Sequence, residues 1–367
     1  MSKKIKVALI YGGRSGEHEV SVLSAKSVLG AIDKKKYDVV EIFINKKGQW
    51  QIGFDKELVE GKRAKQIFLP ADPTEKELIS VKNSGDFPRK VDVIFPVLHG
   101  TYGEDGSVQG LFELAGIPYV GAGVAASAVG MDKVLMKEIF EGVGLSITRC
   151  LVFLRDQVEN NSEEIINRVE NEIGYPVFTK PANLGSSVGI SKAKNRNELQ
   201  SGLMIAAEYD RKTLVEESIK EAREIEVAVL GNDKPKASVC GEVIPSKEFY
   251  DYEDKYILGK TKIIIPAKLS DEVSDQIREM ALKAFKSIDC AGMARVDFLV
   301  EGKTNKIFIS EINTIPGFTS ISMYPKLWEA SGVSYKNLID KLITLAIERY
   351  SDKSKNKTTY PSKLLTT

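Results

Sequence analysis

The 367-residue sequence predicts an α/β fold that passes into α+β modules, and three observations carry the prediction. Apolar strand-like runs alternate with helical patterns over residues 1–130, compact strand-and-helix blocks follow over 131–217 and 218–350, and a polar tail fills 351–367. Buried strands alternating with helices argue for a parallel sheet, with a ligand crevice at the carboxyl ends of its strands. The chain is also too long for one ordinary core, so the blocks read as separate domains.

In chain order, KIKVALIY (4–11) is a first strand, followed by a Gly-rich turn and the helical stretch EVSVLSAKSVLGAI (19–32). DVVEIFI (38–44) and VDVIFPVL (91–98) are continuous apolar runs, the pattern of strands buried on both faces. The polar, irregular segment 45–90 between them reads as a small hairpin and loops. After the small-residue stretch GAGVAASAVG (121–130), MDKVLMKEIFEGVG (131–144) predicts one helix ending in Gly. Strands at 148–154, 176–181 and 213–217 then alternate with helices near 161–173 and 195–208. The third block opens with strands 223–230 and 235–244 and continues through a polar loop (246–262) to a helix (270–288). A strand pair (293–300 and 307–313) and terminal helices complete it. The tail has little apolar content to bury and is expected to be disordered.

Composition narrows the partners. Lys and Arg number 52 against 51 Asp and Glu, a net charge of +1, so there is no global field for nucleic acid or a membrane surface. No apolar run approaches the ~18 residues that span a bilayer. The N-terminal segment VALIY is shorter than the ~7–15 apolar residues of a signal peptide. The three cysteines, at 150, 240 and 290, are odd in number and far apart, which fits a reducing cytoplasm.

Four constellations carry chemistry. GSSVG (185–189) matches the nucleophile elbow of α/β-hydrolases, but that order needs a His after the Ser. The two histidines, His18 and His99, both precede Ser187. A phosphate loop fits better: glycines at 185 and 189 permit a tight turn, the Ser186 and Ser187 hydroxyls and backbone N–H groups can converge on phosphate oxygens, and Lys180 adds charge. An ordinary hairpin turn remains the alternative for the loop taken alone. In MARVDFLV, strict alternation puts Arg295 and Asp297 on one face, and in IFISEIN it puts Glu311 and Asn313 on a face with Ile307 and Ile309. A hairpin sets Asp297 opposite Glu311. Oxygen ligands without His or Cys suit Mg²⁺ or Mn²⁺ with phosphates completing the shell, against the alternative of a solvated polar pair. The loops GGRSGEHEVS (12–21) and HGTYGEDGS (99–107) should open onto one sheet edge.

Together, GGRSGEHEVS, HGTYGEDGSVQG, MDKVLMK, KPANLGSSVGISK, FYDYEDKY, ARVDFLV and EINTIPGFTSISMYP closely resemble the D-alanine–D-alanine ligase family over residues ~4–350. The resemblance implies an ATP-grasp fold with an N-terminal Rossmann-like parallel-sheet domain. It also implies ATP and two Mg²⁺ or Mn²⁺ ions as cofactors, two D-alanine molecules as substrates and a homodimer. By resemblance Lys133 and Lys180 contact ATP phosphates and the loop with Ser187 is their lid. Glu216, Glu217 and Ile219 lie beside the adenine, Glu224 meets the ribose, and Asp297, Glu311 and Asn313 are the metal ligands. Glu19 would hold the first D-alanine's ammonium, with His99 nearby, while Arg295 and the Gly317 N–H take its carboxylate. Ser322 and Met323 would surround the second D-alanine. Lys255 and Tyr256 would sit on a closing loop, with Tyr256 linked through Ser186 to Glu19. The implied reaction is ATP-dependent ligation through a D-alanyl phosphate. A D-alanine–D-lactate ligase and a nucleotide-binding module without catalysis are the rival readings.

Overall fold

The computed structural model describes residues 3–52, 65–81, 90–244, 262–319 and 321–359. Three sheets organise it. The first is six-stranded: β1 (Ile5–Gly12) pairs in parallel with β2 (Tyr37–Ile44) on one side and Val93–Pro96 on the other. The segment between these strands adds three short antiparallel strands, Trp50–Ile52, Lys65–Phe68 and Ile79–Ser80, which extend the sheet past β2. The hairpin expected there is thus a longer meander.

Alternation explains why β1 is apolar throughout. Val7, Leu9 and Tyr11 face one core, while Ala8 and Ile10 face another, and all five are buried. The first of these cores also contains Phe318, Tyr324, Leu327 and Trp328, together with Leu338, Leu342 and Ile343 of the last helix. The N-terminal sheet therefore shares one core with the C-terminal helices Met323–Ala330 and Tyr335–Lys353. Loops at the end of β1 and after Val93–Pro96 are fixed against the segment after Asn313 as a result.

The second sheet has four antiparallel strands, in the order Cys150–Leu154, Lys212–Glu217, Val177–Pro181, Ser191–Ala193. The third has five, in the order Lys262–Ile264, Lys236–Ile244, Ala222–Gly231, Gly292–Glu301, Ile307–Asn313.

Three local expectations need correction. The helix expected over 131–144 is Lys133–Gly142, and the small-residue stretch before it, read as no element, forms a separate helix, Val124–Met131. Asp132 causes the break: its backbone is extended, and its Oδ1 accepts hydrogen bonds from the Val134 and Leu135 N–H groups as an N-cap. Strict alternation along 307–313 also fails. The register places Phe298 opposite Ile309 but Asp297 opposite Glu311, so Ser310 is the extra residue of a bulge. Ile307, Ile309 and Ile312 all enter one core, and Glu311 and Asn313 do not share the face of Ile307 and Ile309. Finally, the last helix runs to Lys353, so the first three tail residues are helical rather than disordered.

Candidate active site

Glu17 and Ser186 define the centre of the site. Glu17 caps the helix His18–Ala31 in a non-helical conformation, and its carboxylate accepts the hydroxyl proton of Ser186 from the loop after Val177–Pro181. Two glycines make room: a Cβ on Gly100 would lie 2.7 Å from Glu17 Oε2, and one on Gly185 3.2 Å from it. Ser15 ties the same turn to the next loop, donating to the His99 carbonyl at 2.7 Å.

The expected Ser186–Glu19 link is therefore replaced by Ser186–Glu17. Glu19 points away, 60% exposed, in a 2.5 Å ion pair with Lys46 that lowers its pKa. Two residues along a helix rotate a side chain by about 200°, so only one of the two glutamates can face the loop. Lys255 and Tyr256 lie outside the described residues.

The phosphate-loop candidate 183–190 is built on left-handed backbone at Ser186, Ser187 and Gly189. Its leading edge is held by Lys133, whose Nζ donates to the Leu184 carbonyl at 2.7 Å, and by Asp210, which accepts from the Asn183 N–H and side-chain amide. Behind it lies a buried ion cluster. Glu216 takes an ion pair from Lys137 at 2.5 Å on one oxygen and from Lys180 on the other, while Thr148 donates to it. Burial alone would raise the Glu216 pKa, but the two ammonium groups outweigh it and hold it far below the usual carboxylate range. For Lys180 burial is likewise opposed, chiefly by Glu216 and then by Glu311 and Glu224, and the pKa rises. Glu224 and Glu311 thus act electrostatically on Lys180 across the gap between the second and third sheets.

Glu217 has the opposite orientation from Glu216, as alternation requires, and its carboxylate is bound to Arg149. Its side chain is committed there. Ile219, half-buried, follows the end of the strand.

On the third sheet Arg295 grips Asp297 with two hydrogen bonds of 2.7 Å and meets Glu226 at 3.0 Å. Burial works against its charge; Asp297 and Glu226 overcome this and raise its pKa. Asp297 stands opposite both Glu226 and Glu311, and Arg295 opposite Asn313. Among the described residues, no three His, Cys, Asp or Glu side chains form a metal cage. The set is instead two carboxylates and an amide, and among the described residues the Asn313 Oδ1 is buried without a hydrogen-bond partner, as suits a carbonyl ligand of a hard cation.

The loop after Asn313 is fixed from the N-terminal side. His99 Nδ1 lies 3.0 Å from the Ile315 carbonyl and must donate to it, so Nε2 accepts from Ser24 at 2.9 Å. Burial lowers the His99 pKa, and the hydrogen bonds select the tautomer. Both ring nitrogens are engaged, which makes His99 a brace for the loop rather than a free contact. Glu104 accepts from the Gly100 and Ile315 N–H groups, and burial raises its pKa well above the carboxylate range. Gly317 packs so tightly on Ser322 that a Cβ would sit 2.9 Å from its Oγ, and that hydroxyl accepts from the Thr319 N–H. Met323 is buried in the shared core and can contribute only a wall.

Glu17, Glu104, Glu226 and Lys137 are the site residues that sequence reasoning missed. Lys137 had a signal, because Lys133 and Lys137 are four apart on one helical face.

Comparison with known proteins points to one family. The family described as "D-ala D-ala ligase N-terminus" matches residues 6–122, and "D-ala D-ala ligase C-terminus" matches 139–344. The chain is 52% identical to a D-alanine–D-alanine ligase of Chloroherpeton thalassium, covering 97% of this chain and 100% of that one. It is 54% identical to another of Ruminiclostridium cellulolyticum, covering 96% and 97%. Among solved structures, the D-alanine–D-alanine ligase of Coxiella burnetii superposes with a TM-score of 0.83 at 38% identity, covering 96% and 97%. A D-Ala:D-Ser ligase of Enterococcus faecalis does so with 0.83 at 36%, covering 94% and 100%.

Proposed function

We infer the function from one premise: the chain belongs to the D-alanine–D-alanine ligase family, whose fold is ATP-grasp. It is an ATP-dependent ligase that joins two D-alanines into D-alanyl-D-alanine, releasing ADP and phosphate, for peptidoglycan precursor synthesis. The geometric observation that carries this reading is the Ser186–Glu17 hydrogen bond, which joins the loop 183–190 to a carboxylate at the helix start beyond β1.

In the mechanism we propose, Glu17 rather than Glu19 receives the ammonium of the first D-alanine. Arg295 and the Gly317 N–H hold its carboxylate, and Lys133, Lys180 and the loop with Ser186 and Ser187 hold the ATP phosphates. Glu216, the backbone of Glu217, Ile219 and Glu224 line the nucleoside. A carboxylate oxygen of the first D-alanine attacks the γ-phosphorus and ADP departs, leaving an acyl phosphate. The neutral amine of the second D-alanine, beside Ser322 and Met323, then attacks the acyl carbon, loses a proton and expels phosphate. Cations aimed at the transferring phosphoryl group lower the barrier because they neutralise charge without reorganising. Asp297, Glu311 and Asn313 fit two Mg²⁺ or Mn²⁺ ions, which when bound would supply the same charge neutralisation at the phosphates. Lys255 and Tyr256, outside the described residues, enter the proposal by resemblance alone. The protein works in the cytoplasm as a homodimer in this reading, and no described helix is long and apolar enough to cross a membrane.

The test is incubation with ATP, Mg²⁺ and D-alanine, alone and in competition with D-serine or D-lactate, followed by product mass. D-alanyl-D-alanine as the main product is expected. A mixed product made in preference would reassign the second substrate, and no ATP-dependent product would sink the reading.

A further inference from the structure

We propose that Lys137 is a positioning residue, the fixed counter-ion of Glu216, whose presence lets Lys180 leave that carboxylate for a nucleotide phosphate. The inference rests on the nucleotide reading above, in which Lys180 meets phosphate.

The cluster is asymmetric. The Lys137 side chain is 3% exposed and that of Glu216 2%, whereas that of Lys180 is 16% exposed. Lys137 reaches Glu216 Oε1 at 2.5 Å and Thr148 Oγ1 at 2.9 Å, and Thr148 donates to the same Oε1. That is a closed triangle inside the protein. Lys180 takes the other oxygen, Oε2, and is also acted on electrostatically by Glu311 and Glu224.

Glu216 itself is met by two ammonium groups, one more than its single charge needs. Because Lys137 is enclosed, the mobile one is Lys180. A buried carboxylate that loses its sole cation is strongly disfavoured, so a lysine that was the only partner of Glu216 could not turn to a phosphate cheaply. With Lys137 and Thr148 in place, Glu216 keeps a cation and a hydrogen bond whichever way Lys180 points. The sequence supplies this by setting Lys137 one helical turn beyond Lys133, in a helix anchored by its Asp132 cap.

Calorimetric binding of ADP and of adenosine to the full-length protein separates this role from a structural one. Lys137→Met should weaken ADP by about 10- to 100-fold, the value of one charge-assisted contact, and adenosine by less than about twofold. Adding Glu216→Gln to Lys137→Met removes the carboxylate that captures Lys180 and should restore much of the ratio of ADP to adenosine affinity. Equal weakening of both ligands by Lys137→Met, or no change in either, overturns the proposal, as does a double variant whose ratio stays low. Wild-type protein that binds no ADP would overturn the nucleotide reading itself, a result distinguishable from failure of Lys137 alone.

Discussion

The Ser186 hydroxyl donates to the Glu17 carboxylate across 169 positions of sequence, joining the loop of the second sheet to the helix start of the first. The expected outcome is that Glu17→Gln lowers kcat/KM for D-alanine by about 100-fold, the loss of a charged contact that binds substrate and orders the loop. Glu19→Gln, which weakens an exposed ion pair with Lys46, should stay within about twofold. Steady-state kinetics on the two variants decide between the glutamates, and the reverse ranking would return the role to Glu19.

Gly100 should resist substitution for two independent reasons. Its φ of +77° belongs to the left-handed region, and an added Cβ would meet Glu17 Oε2 at 2.7 Å. Gly100→Ala should cost about 1–2 kcal/mol of stability from backbone strain and also raise KM for D-alanine by displacing Glu17. Denaturant unfolding and kinetics on the same preparation test both parts. A stable variant with unchanged KM would show that the carboxylate position is not critical.

Asp297 is bound by Arg295 with two hydrogen bonds and stands opposite Glu311 in register. Asp297→Asn should weaken Mn²⁺ binding to the protein–nucleotide complex by about 10-fold or more, as loss of a charged ligand from a hard-cation site predicts. Titration followed by electron paramagnetic resonance reports this without reference to turnover. Unchanged Mn²⁺ affinity would remove Asp297 from the ligand set.

Acid should destabilise the protein partly through Glu216. Burial raises its pKa, Lys137 and Lys180 lower it further than burial raises it, and the folded value lies below the unfolded one. A depressed carboxylate contributes stability that is present above the ordinary carboxylate range and lost as pH falls through the folded value. Thermal melts between neutral pH and the acid limit should therefore show a shallower decline for Glu216→Gln than for wild type. Parallel curves would mean that the ion cluster does not contribute to acid sensitivity.

Much of this architecture was legible in residue patterns. The continuous apolar run 91–98 revealed a strand buried on both faces, whereas 38–44 forms a strand fully buried on one face only, and the loop 185–189 and the carboxylate hairpin could be located by their glycines and acidic residues. Two kinds of feature were not. Asp132 and Ser310 each act at a single position, as a cap that separates two consecutive helices and as a bulge that shifts alternation, and periodicity averages over both. The choice between Glu17 and Glu19 depends on where the helix begins to within one residue, which GEHE does not reveal. Glu104 and Lys137 derive their roles from partners distant in sequence, Ile315 for one and Glu216 for the other.

Activation of the first D-alanine's carboxylate by phosphoryl transfer can be followed through the fate of its oxygen atoms. D-alanine carrying heavy oxygen in its carboxylate, turned over with ordinary ATP, should deliver one heavy oxygen atom to each inorganic phosphate released with ADP. Phosphate free of the label, or label found in AMP, would contradict the account.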